Sequence, residues 1–210
     1  MLGVVLRELN KKSEAVAANQ AAVEITPQDP ELHNNLGITL RELGKLDEAE
    51  RSLKQAIELN PTFAEAHNNL GGVLQNQGAL TEAAASFQKA IDLRPDYFEA
   101  HSNLGVVRHE LSEWEDAAAS YMRAIALNSD KAEVHSNLGV TLKQLGRIKE
   151  AEECFVRAIA IKPTYAEAHM NLGVSLKEQG RLEESEKSHR NAIMLKPKFA
   201  EAHLNLGNTL

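Results

Sequence analysis

Six histidines recur at one spacing, and an imidazole row is the first feature of this sequence that could do chemistry. His33, His67, His101, His135, His169 and His203 each open the string His-x-Asn-Leu-Gly, in steps of 34 residues. Imidazole binds zinc with nitrogens about 2 Å from the ion, so the ligands of one ion must converge. Copies of a packed helix stand about 8–10 Å apart, too far for neighbouring copies to share an ion. The row therefore reads as packing, and no metal or other cofactor is expected. His109 and His189 stand outside the row. Cys154 is the single cysteine, which excludes an internal disulfide framework and a cysteine-built metal site. Glycine-rich phosphate loops, nucleophile elbows and metal motifs are absent. The chain is not expected to be an enzyme, although a catalytic domain could be attached outside it.

A second row sits two places after the histidines. Asn35, Asn69, Asn103, Asn137, Asn171 and Asn205 place an asparagine in every copy. A carboxamide can donate to a peptide C=O and accept from a peptide N–H. An extended chain advances about 3.3 Å per residue, so one asparagine per helix spacing meets roughly every third residue of an extended ligand. Asparagine is a mediocre helix former, so helix propensity does not call for it. The residue just before it varies: Asn34, Asn68, Ser102, Ser136, Met170 and Leu204. A third row, Glu31, Glu65, Glu99, Glu133, Glu167 and Glu201, is acidic throughout. As groove residues these carboxylates would favour basic peptides. As first-turn residues they would complement the helix dipole.

The elements that must position these rows follow from the same period. With Pro30 as position 1, glycine recurs at position 8 (Gly3, Gly37, Gly71, Gly105, Gly139, Gly173, Gly207) and at position 15 (Gly44, Gly78, Gly146, Gly180). Gly72 is the one glycine outside these two classes. Position 27 is alanine in Ala22, Ala56, Ala90, Ala124, Ala158 and Ala192, and position 32 is proline in Pro27, Pro61, Pro95, Pro163 and Pro197. Apolar positions 3, 4, 7, 8, 11 and 14 fall on one side of a helix over positions 1–14. Glycine at 15 suits a left-handed helix end. A second helix is expected over positions 18–31, with Asp47 and Thr81 as N-caps and proline as its stop. Position 6 lies opposite positions 4, 8 and 11, so the asparagines face away from the packing side. One helix pair cannot bury its apolar face alone, so pairs must stack.

These residues resemble the tetratricopeptide repeat family. In one copy the pattern reads His67, Leu70-Gly71, Leu74, Ala83, Phe87, Ala90 and Pro95. Histidine replaces the first aromatic of that pattern, and leucine the second. The resemblance implies an all-α, right-handed superhelical solenoid of antiparallel helix pairs, with first helices lining a concave face. It divides the chain into partial repeat 1–29, full repeats 30–63, 64–97, 98–131, 132–165 and 166–199, and partial repeat 200–210. The asparagine row looks like the ladder of O-GlcNAc transferase repeat arrays, which holds protein substrates. The expected function is a protein–protein interaction module binding an extended segment, and in a sharper form the substrate-recruiting part of a larger enzyme such as a glycosyltransferase. The alternative is a scaffold that self-assembles through its ends or its convex helices.

Composition narrows the partners. The chain has 210 residues and a net charge of −7, with 43% hydrophobic and 25% charged residues. It lacks a general basic footprint for nucleic acid and a window of about eighteen apolar residues for a membrane. Repeat domains that grip acidic chaperone tails carry lysine or arginine at groove positions that are glutamate and asparagine here, so that ligand is not expected. A cytoplasmic site is expected from the single cysteine. Repeat 98–131 departs most, with Arg108 at an apolar position, Ser112 for glycine, Ser129 for proline and the only tryptophan, Trp114; a local change in stacking is expected there.

Overall fold

The structure, a computed structural model, describes residues 11–209. Gly3 and the front of the partial repeat 1–29 lie outside the described residues, as does Leu210. The described residues form twelve α-helices and no strand. They are α1 (Lys12–Ile25), α2 (Pro30–Glu42), α3 (Leu46–Leu59), α4 (Ala64–Asn76), α5 (Leu80–Leu93) and α6 (Phe98–Glu110), then α7 (Trp114–Leu127), α8 (Ala132–Gln144), α9 (Ile148–Ile161), α10 (Ala166–Glu178), α11 (Leu182–Leu195) and α12 (Ala200–Gly207). The chain forms two compact units, one ending at Leu111 and the other beginning at Ser112. Within each unit a helix touches only helices one or two places along the chain, which is the packing of a solenoid. The fold is the all-α helix-pair solenoid that the repeat implies.

The helix boundaries follow from the turn between the two helices. Gly44, Gly78, Gly146 and Gly180 have φ of 80°, 80°, 71° and 75°. The next residue then donates back to a carbonyl five places earlier: Lys45 N–H to Leu40 O, Ala79 to Leu74, Arg147 to Leu142 and Arg181 to Leu176, each at 2.9–3.0 Å. This left-handed closure satisfies the last carbonyls of the first helix and starts the second at once. The second helices therefore occupy positions 17–30 rather than 18–31. Asp47 and Thr81 lie inside α3 and α5, not at their N-caps, which are Lys45 and Ala79 without side-chain capping bonds. The side-chain N-cap among the described helices is Asp29, which accepts from the N–H groups of Glu31 at 2.9 Å and Leu32 at 3.4 Å. Ser112 takes the same left-handed conformation as the glycines, with φ 62°. Helices α6 and α7 have the same lengths as their counterparts, so the departures of repeat 98–131 leave its helix lengths unchanged.

Side chains at positions 7, 11 and 24 fill the core of the first unit: Leu36, Leu40, Leu53, Leu70, Leu74, Phe87 and Leu104. Alanines at positions 3, 20 and 27 are wholly buried where helices approach, as at Ala49, Ala56, Ala66, Ala83 and Ala90. Gly71 admits the Phe87 ring: a Cβ there would stand 2.8 Å from two ring carbons. In the second unit, buried alanines Ala132, Ala158 and Ala168 make one small cluster, and Met170, Ala192 and Ala202 another.

Candidate functional site: the asparagine row

The asparagine row runs along the first helices. Asn35, Asn69, Asn103, Asn137, Asn171 and Asn205 are all half-buried. Their surroundings differ from the open groove that the sequence suggests. In the first unit Asn69 Nδ2 donates to Asn34 Oδ1 at 2.9 Å, and Asn103 Nδ2 donates to Asn68 Oδ1 at 3.1 Å. In the second unit Asn205 Nδ2 lies 3.5 Å from Met170 Sδ. Asn69, Asn103 and Asn205 thus reach to position 5 of the preceding repeat. Position 5, which reads as drift in the sequence, is a buried acceptor site in the seam: Asn34, Asn68, Ser136 and Met170 are each under a tenth exposed. The doubled Asn-Asn of the first repeats is the signal that could have exposed it. Tying down Nδ2 fixes the plane of the carboxamide and leaves Asn69 Oδ1 and Asn103 Oδ1 without a partner among the described residues.

Half of the glutamate row is engaged in ion pairs. Glu65 pairs with Arg94, Glu133 with Lys162 at 3.0 Å and Glu167 with Lys196 at 2.8 Å. The same cations stack on Tyr97, Tyr165 and Phe199, at 4.5–5.0 Å from the ring centroids. The lysine hydrogen bonds hold the Glu133 and Glu167 carboxyls below the usual carboxylate range. At Glu65 burial pushes the carboxyl up, and the Arg94 hydrogen bond, the backbone N–H of Glu65 and the Arg94 charge together hold it below the usual carboxylate range. These pairs fasten the end of a second helix to the start of its own first helix. The remaining carboxylates, Glu31, Glu99 and Glu201, are exposed at equivalent places.

The six histidines share one task. Nε2 of His33, His67, His101, His135, His169 and His203 lies 2.9–3.1 Å from the carbonyl oxygen of Pro27, Pro61, Pro95, Ser129, Pro163 and Pro197 respectively. A carbonyl only accepts, so each Nε2 carries the proton. The bond latches the incoming loop to the first helix. It survives Ser129 in place of proline because it uses the backbone. Cys154 is half-buried, and burial, with Glu153 and Glu150, pushes its thiol up to about 11, so it is a poor nucleophile at neutral pH. Among the described residues no group of three metal-ligating side chains comes together, and no helix is long and apolar enough to cross a membrane.

Comparison with known proteins bears on the repeat and the fold. Tetratricopeptide repeat families match residues 34–98, 107–146, 132–165 and 166–199. No curated protein matches the chain in sequence. Among solved structures, the chain is similar to YrrB, described as a tetratricopeptide repeat protein with an unusual peptide-binding site: 25% identity over 92% of this chain and 98% of that one, TM-score 0.78. It is also similar to MamA, at 27% identity over 82% of this chain and 94% of that one, TM-score 0.74. Pseudomonas aeruginosa PilF shares the fold, with TM-score 0.86 at 18% identity over 99% and 94% of the two chains. Two of the matches, 132–165 and 166–199, coincide with single 34-residue repeats, and together the four span most of the chain, so the chain belongs to the tetratricopeptide repeat family and is a protein-interaction module of that kind.

Proposed function

We propose that the chain binds an extended peptide along its first helices, with the asparagine row gripping the ligand backbone. The observation that carries this is the fixed carboxamide: one Nδ2–H of Asn69 and of Asn103 holds the preceding repeat, and Oδ1 is left to accept from a peptide N–H. A group held in place before binding loses little freedom when the ligand arrives. Backbone contacts tolerate many side-chain sequences, as a recruiting surface requires. The paired glutamates take little part, since their charge is compensated at Glu65, Glu133 and Glu167. In its sharper form the array recruits substrates for a larger enzyme such as a glycosyltransferase, a reading that rests on family resemblance. A catalytic domain in the same gene product would support it, and a full-length product without one would overturn it.

The ladder is tested by replacing Asn69, Asn103, Asn137 and Asn171 with alanine together. The ligands are twelve-residue peptides selected by display on the unmodified protein. Fluorescence polarisation is expected to show affinity reduced by at least about tenfold, the loss of one or two net hydrogen bonds. Unchanged affinity with helicity intact by circular dichroism would overturn the ladder. A second reading, self-assembly through the second helices, has one observation in its favour. Met122 and Val156 occupy position 25 of consecutive second helices and are about half exposed, at 48% and 50%. Light scattering that stays monomeric up to high concentration would remove it.

A further inference from the structure

Gly72 is the glycine that the repeat does not explain. It occupies position 9, where other first helices carry Ile38, Val106, Val140 and Val174. The missing side chain leaves room for Arg41 of the preceding helix, and a Cβ on Gly72 would overlap the Arg41 guanidinium. Arg41 is half-buried, and together with Gly72, Gln75, Asn76, Phe87 and Asn103 it lines a pocket of about 280 Å³ inside the first unit. Asn103 belongs to the asparagine row, so the pocket adjoins it.

The repeat register also explains why this guanidinium lacks a counter-charge. In two other copies position 12 meets a glutamate at position 13 of the next repeat: Gln75 Nε2 donates to Glu110 at 2.9 Å, and Lys143 pairs with Glu178 at 3.2 Å. For Arg41 the corresponding residue is Asn76, and the Arg41 guanidinium has no hydrogen-bond or ion-pair partner among the described residues. Two features thus coincide beside Arg41: a side chain removed at Gly72 that leaves space, and Asn76 at position 13, which is glutamate in Glu42, Glu110 and Glu178. A half-buried guanidinium beside carboxamides is suited to a planar anion that accepts two parallel N–H bonds.

We propose that Arg41, seated on Gly72 between Asn76 and Asn103, is a carboxylate subsite that takes one Asp or Glu side chain, or the C-terminal carboxylate, of the bound peptide. This deepens the peptide-groove reading and rests on it. Single-carboxylate recognition is distinct from binding an acidic tail, for which the array lacks a row of cations.

Two arms on the full 210-residue chain test it. In the first, arginine side-chain Nε–H resonances are followed by NMR while acetate, and separately inorganic phosphate, is added. The Arg41 signal is identified by its loss in R41Q. It is expected to shift saturably with acetate in the unmodified protein and not in G72V, where valine restores the residue of the other copies. A shift no larger than that of exposed Arg123, or a larger response to phosphate than to acetate, overturns the subsite. In the second arm, fluorescence polarisation compares twelve-residue Ala/Ser peptides: C-terminally amidated with a central Asp, amidated with Asn, and Asn with a free C-terminus. A carboxylate is expected to tighten binding about fivefold or more, and R41Q and G72V to erase that preference while leaving the Asn-amide peptide unchanged. Which carboxylate gains identifies its source. A preference that survives both substitutions overturns the proposal. Failure of every peptide to bind overturns the groove reading instead, and the acetate arm then decides the subsite alone.

Discussion

Two side chains sit in places built for another residue. His189 occupies position 24, where the other full repeats carry Leu53, Phe87, Tyr121 and Phe155, and it packs against Gly173 with no exposed surface. Neither ring nitrogen has a hydrogen-bond partner. Burial, then the nearby positive charge of Lys177, pushes its pKa down from 6.5. The sign of the pH effect follows. Above about pH 6.5 the ring is neutral in both the folded and unfolded chain, so no proton linkage operates. As pH falls below that value the unfolded chain takes up a proton that the folded one resists, and stability drops until the lowered folded pKa is passed. Urea unfolding at pH 7 and pH 5 should show H189F more stable by about 1–2 kcal/mol at pH 7, with a wider gap at pH 5. Ser112 is the other case. It holds a left-handed φ of 62° where glycine serves in four other copies, at a cost of about 1–2 kcal/mol for a residue with a Cβ. S112G should recover about 0.5–1 kcal/mol in the same assay, the remainder being offset by glycine's greater freedom when unfolded.

At the scale of the helix, the governing feature is close approach. Position 8 is glycine so that the position-24 side chain of the second helix can lie against the first helix backbone. Gly71 and Phe87 show this directly, since a Cβ at Gly71 would stand within 3 Å of three ring atoms. The ring is fully buried and enclosed by leucines, so it cannot retreat. G71A should therefore destabilise by about 1–3 kcal/mol, the usual consequence of forcing extra volume into a packed core. Thermal unfolding followed by circular dichroism measures it. The ion pairs at helix ends differ in kind: Glu133–Lys162 and Glu167–Lys196 are about half exposed and contribute little to stability.

Over the whole molecule, contacts are local. Within a unit each helix meets neighbours one or two places away, so damage should spread to adjacent repeats and fade. Hydrogen exchange on G71A provides the check. Amides of α2 to α5 should exchange faster, while those of α9 to α11 keep their protection. Uniform acceleration along the chain would mean that the array unfolds as one cooperative body. The same locality bears on function, because a binding row assembled from one residue per repeat can lose a member without loss of the scaffold.

The sequence alone determined the period, the helix pairs, the left-handed glycine turns and the asparagine row. Each of these is written in a residue type that only one local geometry favours, and repetition makes it legible. Local periodicity misplaced the second helix by one residue, because the closing turn, not a side-chain cap, sets its start. The tertiary structure decided what the rows touch. Position 5 became a buried acceptor at Asn34, Asn68 and Met170, three of the glutamates became paired, the histidines became latches to loop carbonyls, and Arg41 was left over a gap. None of these is a property of one helix. Each depends on which residue of a neighbouring helix or loop stands within reach, and that distance exists only once the chain has packed.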